Sequence, residues 1–432
     1  MNLDEFVVRS KGWVTHNIYQ KCFKKIYLRR FSKSFYKNYK SYLFHSSFIK
    51  NEKIKVGFFL QRLETFDSVK TIFENMINDE AFEVYLIVLP RFNQNTFEFM
   101  FETISQNIEF AKKYKEKCHI LDSYQDNKFI DLSTLKLNYL FLATPYEEQY
   151  PNEYSFDKLH KFTRVCLVQY AYMCWHRLAY IEATFPEKTI ACSDYIFADC
   201  PTSLKYLNSV FRTVKKKTGN NSVYNFGFPP LDVLDECKDN SYKTIMWIPR
   251  WTTSKKEHVG SSFLKYKDNV VDLISKKEFE VIVRPHPLMF DNYIDKGIMS
   301  KEEIESFKKN CSINGSFISN GGEYLDVINK ADILLSDYSS LTIYYALLNK
   351  PIIFLEKRRR FARNIRYLCD SFYFAKDWSD VEKILGNLKK GIDPKKEIRR
   401  KVIDRFNSDH PRNSGETITN FLKEEYFKEM KK

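Results

Sequence analysis

The sequence predicts an α/β protein built as two successive halves, each a parallel sheet covered by helices, behind a basic segment rich in aromatic rings. Three observations carry this. Short continuous apolar runs recur between helical stretches, as in strands buried on both faces. The pattern stops at a turn cluster, Asn225-Phe226-Gly227-Phe228-Pro229-Pro230, passes a polar stretch, and then restarts. Positive charge is gathered at one end. Residues 1–50 hold 11 Lys or Arg against Asp4 and Glu5, a local +9, and the other 382 residues share the remaining +5 of a net +14.

In the first half, apolar runs at 55–60, 82–90, 139–143, 164–168 and 195–198 read as strands, with a helix at 65–78. Runs at 243–249, 279–284, 333–336 and 351–355 repeat the pattern in the second half. A chain of 432 residues exceeds one ordinary core. The predicted domains are a basic segment at 1–50, a Rossmann-like domain at 51–235, and a second one at 236–432 that includes a C-terminal helix. Their sheets are expected to face a cleft.

Within 9–50, Lys24, Lys25, Arg29, Arg30, Lys33, Lys37 and Lys40 alternate with Phe23, Tyr27, Phe31, Phe35, Tyr36, Tyr39 and Tyr42. Phe23, Tyr27 and Phe31 recur at i+4, as on one helix face. A basic amphipathic helix with rings on its apolar side suits an anionic membrane surface. A helix packed on the protein's own body, bases outward, has the same pattern. No nucleic-acid-binding motif is present, so nucleic acid is not an expected partner.

No run of about 18 apolar residues is present for a membrane span. The start, Met1-Asn2-Leu3-Asp4-Glu5, lacks an apolar leader. The expected location is therefore cytoplasmic, peripheral on the inner face of the membrane. Nine cysteines lack a C-x-x-C pair, and Cys166, Cys174, Cys192 and Cys200 fit neither a zinc knuckle nor a disulfide framework. They read as reduced core residues.

Three strand ends carry the candidate chemistry. Ser336-Asp337-Tyr338-Ser339-Ser340 ends one strand and starts a helix, where free N–H groups and hydroxyls favour phosphate. An ordinary capped helix reads the same way. Arg284-Pro285-His286-Pro287 ends another strand. Its prolines stiffen the turn, Arg284 can grip phosphate, and His286 can bond a phosphate oxygen or donate a proton. Trp247-Ile248-Pro249-Arg250-Trp251-Thr252 adds Arg250 and Thr252. In open α/β sheets ligands lie beyond the carboxyl ends of strands, so the three together read as a pyrophosphate site. No acidic cluster calls for an obligatory metal, and a magnesium ion carried with a donor's pyrophosphate remains compatible. A second basic cluster, Lys357-Arg358-Arg359-Arg360 with Arg363 and Arg366, suits a polyanion, lipid headgroups or a solvated loop.

These three motifs, in this order and spacing, resemble the CDP-glycerol glycerophosphotransferase family, which builds teichoic acids and related capsular glycerol-phosphate polymers. The resemblance covers about residues 240–360. It implies a GT-B-type architecture with the nucleotide donor held by the C-terminal domain, and donor contacts from Arg284, His286, Ser336, Asp337, Ser339 and Ser340. It further implies transfer of a glycerol-phosphate or similar polyol-phosphate unit from a CDP-activated donor to the hydroxyl of a polymer or lipid-linked acceptor, with release of CMP.

The chain also departs from the family. Where many members have His-Gly-Thr-Pro after an N-terminal-domain strand, this chain has Tyr172, with His176 four residues on. These two are the candidates for the acceptor-side base. Where many members have Asp in the helix after the serine motif, this chain has Tyr344. Two alternatives therefore stand. One is a GT-B glycosyltransferase using a nucleotide sugar, separable by which donor is turned over. The other is a catalytically silent scaffold, separable by donor binding without CMP release.

Overall fold

The structure is a computed structural model. It describes residues 24–44, 46–93, 96–173, 178–234, 242–253, 260–319, 324–355, 361 and 365–432, apart from the side chains of 178–180 and 409. The chain divides into two compact units, one running to Pro229 and resumed by Arg412–Lys432, the other Pro230–Pro411.

The main sheet of the first unit has seven strands, β1 (Ile54–Leu60), β2 (Phe82–Val88), β3 (His119–Asp122), β4 (Tyr139–Phe141), β5 (Arg164–Val168), β6 (Tyr195–Phe197) and β7 (Val223–Tyr224), beside two small antiparallel pairs, 91–93 with 98–100 and 124–125 with 128–129. The seven lie in the order β7-β6-β5-β4-β1-β2-β3, parallel throughout. The second unit holds β8 (Thr244–Ile248), β9 (Glu280–Val283), β10 (Phe317–Ile318), β11 (Ile333–Ser336), β12 (Ile352–Phe354) and β13 (Tyr373–Phe374). Their order is β10-β9-β8-β11-β12-β13, again all parallel. Each sheet starts in its middle, grows to one side, and then to the other. That is the Rossmann arrangement, with the order reversing beside the first strand. Both faces of the central strands are buried, which is why they read as unbroken apolar runs.

The helix expected at 65–78 is two pieces, Leu63–Phe66 and Lys70–Ile77. Ser68 Oγ donates to the Thr65 carbonyl at 2.7 Å, and Thr65 Oγ1 to that of Arg62 at 3.0 Å. Such local side-chain bonds compete with a continuous helix.

Helix α1 (Lys24–Tyr39) is amphipathic as expected, and of the two readings of its apolar side it takes the one packed on the protein's own body. Its rings form an i+4 ladder, Tyr27–Phe31–Phe35–Tyr39, with centroids 6.1, 6.3 and 5.2 Å apart. Phe35 is buried and meets Phe211 edge-on at 5.7 Å. Ser32 bonds Thr213, and the Tyr27 and Tyr39 hydroxyls donate to Glu182 and Glu187. The aromatic face is thus packed against the unit's own helices, α2 (Pro201–Val210) and α3 (Arg212–Thr218), and the bases point outward. Residues 9–23 lie outside the described residues.

The C-terminal helix requires a second correction. α4 (Ser414–Met430) belongs to the first unit, not to the second domain as the pattern suggested. Ile418, Leu422 and Tyr426 lie in the same core as β1, β2 and β4. Tyr139 Oη donates to the Leu422 carbonyl at 3.1 Å and Tyr426 Oη to that of Asn51 at 2.7 Å. Gly415 makes the approach possible, since a Cβ there would stand 2.5 Å from Thr71 Oγ1.

Candidate functional site

The parallel registers set three of the predicted turns side by side in the second unit. Trp247 of β8 faces Val283 of β9 on one flank and Leu335 of β11 on the other, and Ile248 faces Ser336. The chain therefore leaves the sheet at Pro249-Arg250, Arg284-Pro285-His286 and Asp337-Tyr338 along one edge. The sheet order reverses between β8 and β11, so the first and third turns flank the switch point, where ligands of such sheets bind.

Asp337 organises this edge. Its side chain is 2% exposed, and Oδ2 accepts the backbone N–H groups of Arg250 at 2.8 Å and Ser262 at 2.9 Å. Burial raises its carboxyl above the usual range, and the bonds from Ser262 and Arg250 act against that rise. Ser336 is also buried, sharing a 3.1 Å hydrogen bond with Thr342. Both side chains are thus engaged beneath the turn. Ser339 and Ser340 are only partly buried, and Ser339 Oγ accepts Leu341 N–H at 3.2 Å at the start of Leu341–Ala346. Tyr344 is a core residue whose hydroxyl meets that of Tyr324 at 3.2 Å.

Arg250 is partly exposed, with its guanidinium 5.9 Å from the Tyr338 ring centroid. Thr252 is likewise partly exposed on the same turn. Arg284 is mostly buried and donates from Nη1 to Ser319 Oγ at 2.6 Å. His286 is exposed, and its Nδ1 accepts the Leu288 N–H at 3.2 Å. That bond puts the proton of the neutral ring on Nε2, which makes Nε2 the donor. The Trp251 ring lies 5.7 Å from the imidazole. Sequence reasoning missed Ser319 and Ser262. The first follows a two-residue strand too short to recognise, and the second is a partner only through the fold.

The acceptor-side candidates fare differently. Tyr172 is 1% exposed and packs edge-on against Phe228 at 5.7 Å, so it cannot serve as an accessible base. Asp199, buried at the end of β6, accepts the Met173 N–H and holds the same loop down. His176 lies outside the described residues, as does the basic run 357–360 with Arg363. Arg366 bonds the Phe361 carbonyl at 3.4 Å. Among the described residues no group of three or more His, Cys, Asp or Glu could hold a metal ion.

A sequence profile described as CDP-glycerol:poly(glycerophosphate) glycerophosphotransferase matches residues 188–424, more than half of the chain. The chain belongs to this family. The matched span of this glycerophosphotransferase-family chain includes all three strand-end motifs. The chain is 24% identical over 225 residues to a teichoic acid glycerol-phosphate primase of Bacillus subtilis, covering 48% of this chain and 53% of the relative. It therefore spans about half the length of that curated relative. Among solved structures, the wall teichoic acid polymerase TagF superposes with a TM-score of 0.55 at 14% identity, over 99% of both chains. UDP-GlcNAc 2-epimerase from Neisseria meningitidis gives 0.51 at 12% identity, over 86% of this chain and 99% of that one. These likenesses establish the α/β, GT-B-type fold.

Proposed function

We propose that this family member transfers a glycerol-phosphate or similar polyol-phosphate unit from a CDP-activated donor to an acceptor hydroxyl in teichoic acid or capsular polymer synthesis. The observation that carries the reading is the meeting of Arg250, Arg284, His286, Ser339 and Ser340 at the switch-point edge of the second sheet. In the reaction, the hydroxyl oxygen of a polymer or lipid-linked acceptor bonds to the distal phosphorus, and its proton is released to solvent. The bond from that phosphorus to the bridging oxygen breaks, and CMP leaves. The arginines offset charge on the phosphate oxygens, and His286 Nε2–H is suited to meet the departing CMP. Asp337 acts through the two loops it fixes.

The test is CMP release from CDP-glycerol with an acceptor, run beside UDP- and GDP-sugars. Turnover is expected with CDP-glycerol alone. His286→Ala is expected to lower it about 10²- to 10⁴-fold while leaving the fold intact, because the ring is exposed. Turnover only with sugars would overturn the reaction, and near-normal turnover of the variant would overturn the role of His286. The burial of Tyr172 favours one competing reading, a donor-binding scaffold. Donor binding without CMP release, even with native acceptor extract, would select it.

The proposal includes a peripheral place on the cytoplasmic face of the membrane, reached through residues 9–50. No described helix is long and apolar enough to cross a membrane. What supports surface contact is charge. Lys25, Arg29, Lys33 and Lys37 of α1 are exposed, as are Lys215 and Lys216 on the neighbouring α3. Each base near an anionic surface contributes about 1 kcal/mol. Binding to phosphatidylglycerol vesicles should therefore fall steeply with salt and with Lys33→Glu/Lys37→Glu. Salt-independent binding would remove this part.

A further inference from the structure

The turn after β8 lies between the two other strand-end turns, and its successive side chains diverge. Arg250 reaches towards Tyr338, after β11, with its guanidinium 5.9 Å from that ring centroid. Trp251 reaches His286, after β9, with ring centroids 5.7 Å apart and ring planes at 36°. β8 pairs with β9 on one flank and with β11 on the other, so the divergence follows from the sheet order. Trp251 is 40% exposed, whereas Trp247 on β8 itself is fully buried. The core therefore holds the first indole and leaves the second beside a site residue.

The turn that carries Trp251 is pinned on both sides of it. The Arg250 N–H donates to Asp337 Oδ2 at 2.8 Å, and Lys296 Nζ donates to Thr253 Oγ1 at 2.7 Å. Lys296 directly follows the helix Met289–Asp295, which itself follows the His286 turn. One frame thus holds both rings. The His286 carbonyl accepts the Met289 N–H at 2.8 Å, and its Nδ1 accepts the Leu288 N–H at 3.2 Å. These bonds fix the backbone and choose the tautomer with the proton on Nε2. The plane of the ring is a separate matter. The imidazole is exposed, and rotation about its Cβ–Cγ bond redirects Nε2. Aromatic pairs interact at centroid separations of about 4.5–7 Å, so the indole opposes that rotation.

We infer that Trp251 is a positioning residue for the transfer: its indole packs beside the His286 ring and keeps Nε2–H aimed at the oxygen on which CMP departs. The role rests on the reaction proposed above, whereas the contact itself does not. A proton donor acts best when it is held within about 0.5 Å of its productive place, and that precision comes from packing around the acting group. In this role Trp251 touches no reacting atom, so its effect belongs to turnover and not to donor affinity.

The experiment compares Trp251→Ala and Trp251→Phe with the unaltered full chain in CMP release from CDP-glycerol with native acceptor extract. Nitrogen-15 imidazole spectra of the same proteins read the ring directly, with His286→Ala to assign its signal. Trp251→Ala should lower kcat about tenfold, the order expected for one lost aromatic contact, with KM for CDP-glycerol within about twofold. Its His286 signal should move from the Nε2–H tautomer towards the average of the two, since a rotating ring leaves the Leu288 N–H. Trp251→Phe, which keeps a ring, should recover most of both changes. Thermal unfolding of each variant controls for folding, and the exposed position predicts little change. The role is overturned if Trp251→Ala turns over normally, if it raises KM alone, as a base-stacking platform would, if Trp251→Phe fails as fully as Trp251→Ala, or if the His286 signal is unchanged. Absence of CMP release from the unaltered chain, together with the tautomer shift in Trp251→Ala, would remove the reaction and leave the contact standing.

Discussion

A single carboxylate, Asp337, holds two turns of the candidate site through the N–H groups of Arg250 and Ser262. Removing it leaves two donors without their acceptor, each costing about 1–3 kcal/mol. Asp337→Ala should therefore lower the urea midpoint of the second unit and raise the donor KM. Asp337→Asn, which keeps a carbonyl oxygen, should fall between the two proteins, and an unchanged midpoint in Asp337→Ala would show that the clamp contributes nothing. A different pair tunes stability with pH. Burial alone would lower the His160 pKa, but the Asp194 carboxylate 3.1 Å away outweighs it, and the net shift is upward. A raised folded-state pKa means that the stabilisation is complete below the unfolded value of about 6.5 and fades as pH rises through the folded value. In urea unfolding, His160→Gln should cost more at about pH 6 than at about pH 9. An equal cost at both values would exclude an ionic origin.

At the scale of elements, the interior strands were legible and the edges were not. Runs such as 55–60 and 333–336 stand out because both faces of those strands are buried. The unforeseen strands β3, β7, β10 and β13 are the four sheet edges, two to four residues long and mostly half-exposed, so no apolar run marks them. The three strand-end motifs were readable for the same reason, since each ends an interior strand. Which of their side chains turn inward was not readable, as Ser336 and Asp337 demonstrate. α1 was recognised as a helix, but its ring face is the buried one. Phe35→Ala removes the ring that meets Phe211, a truncation costing about 3–5 kcal/mol in a core. It should speed proteolysis within 24–39 without altering the second unit, and unchanged cleavage would show that the helix is held by its hydrogen bonds to Thr213, Glu182 and Glu187 alone.

At the scale of the molecule, each core is a separate object, and the last helix completes the first of them. Deleting residues 412–432 should raise amide exchange across β1 and β2 while β8 and β11 stay protected. Loss of protection in the second sheet instead would show that the two cores are not independent. The return of α4 also bears on the order of assembly during synthesis. Ile418, Leu422 and Tyr426 leave the ribosome after the whole of Pro230–Pro411, so the unit translated first cannot close its core first. The inserted unit can fold while the earlier strands still expose the apolar surface that α4 will cover, and a stall in translation anywhere after Pro230 would leave that surface open to aggregation.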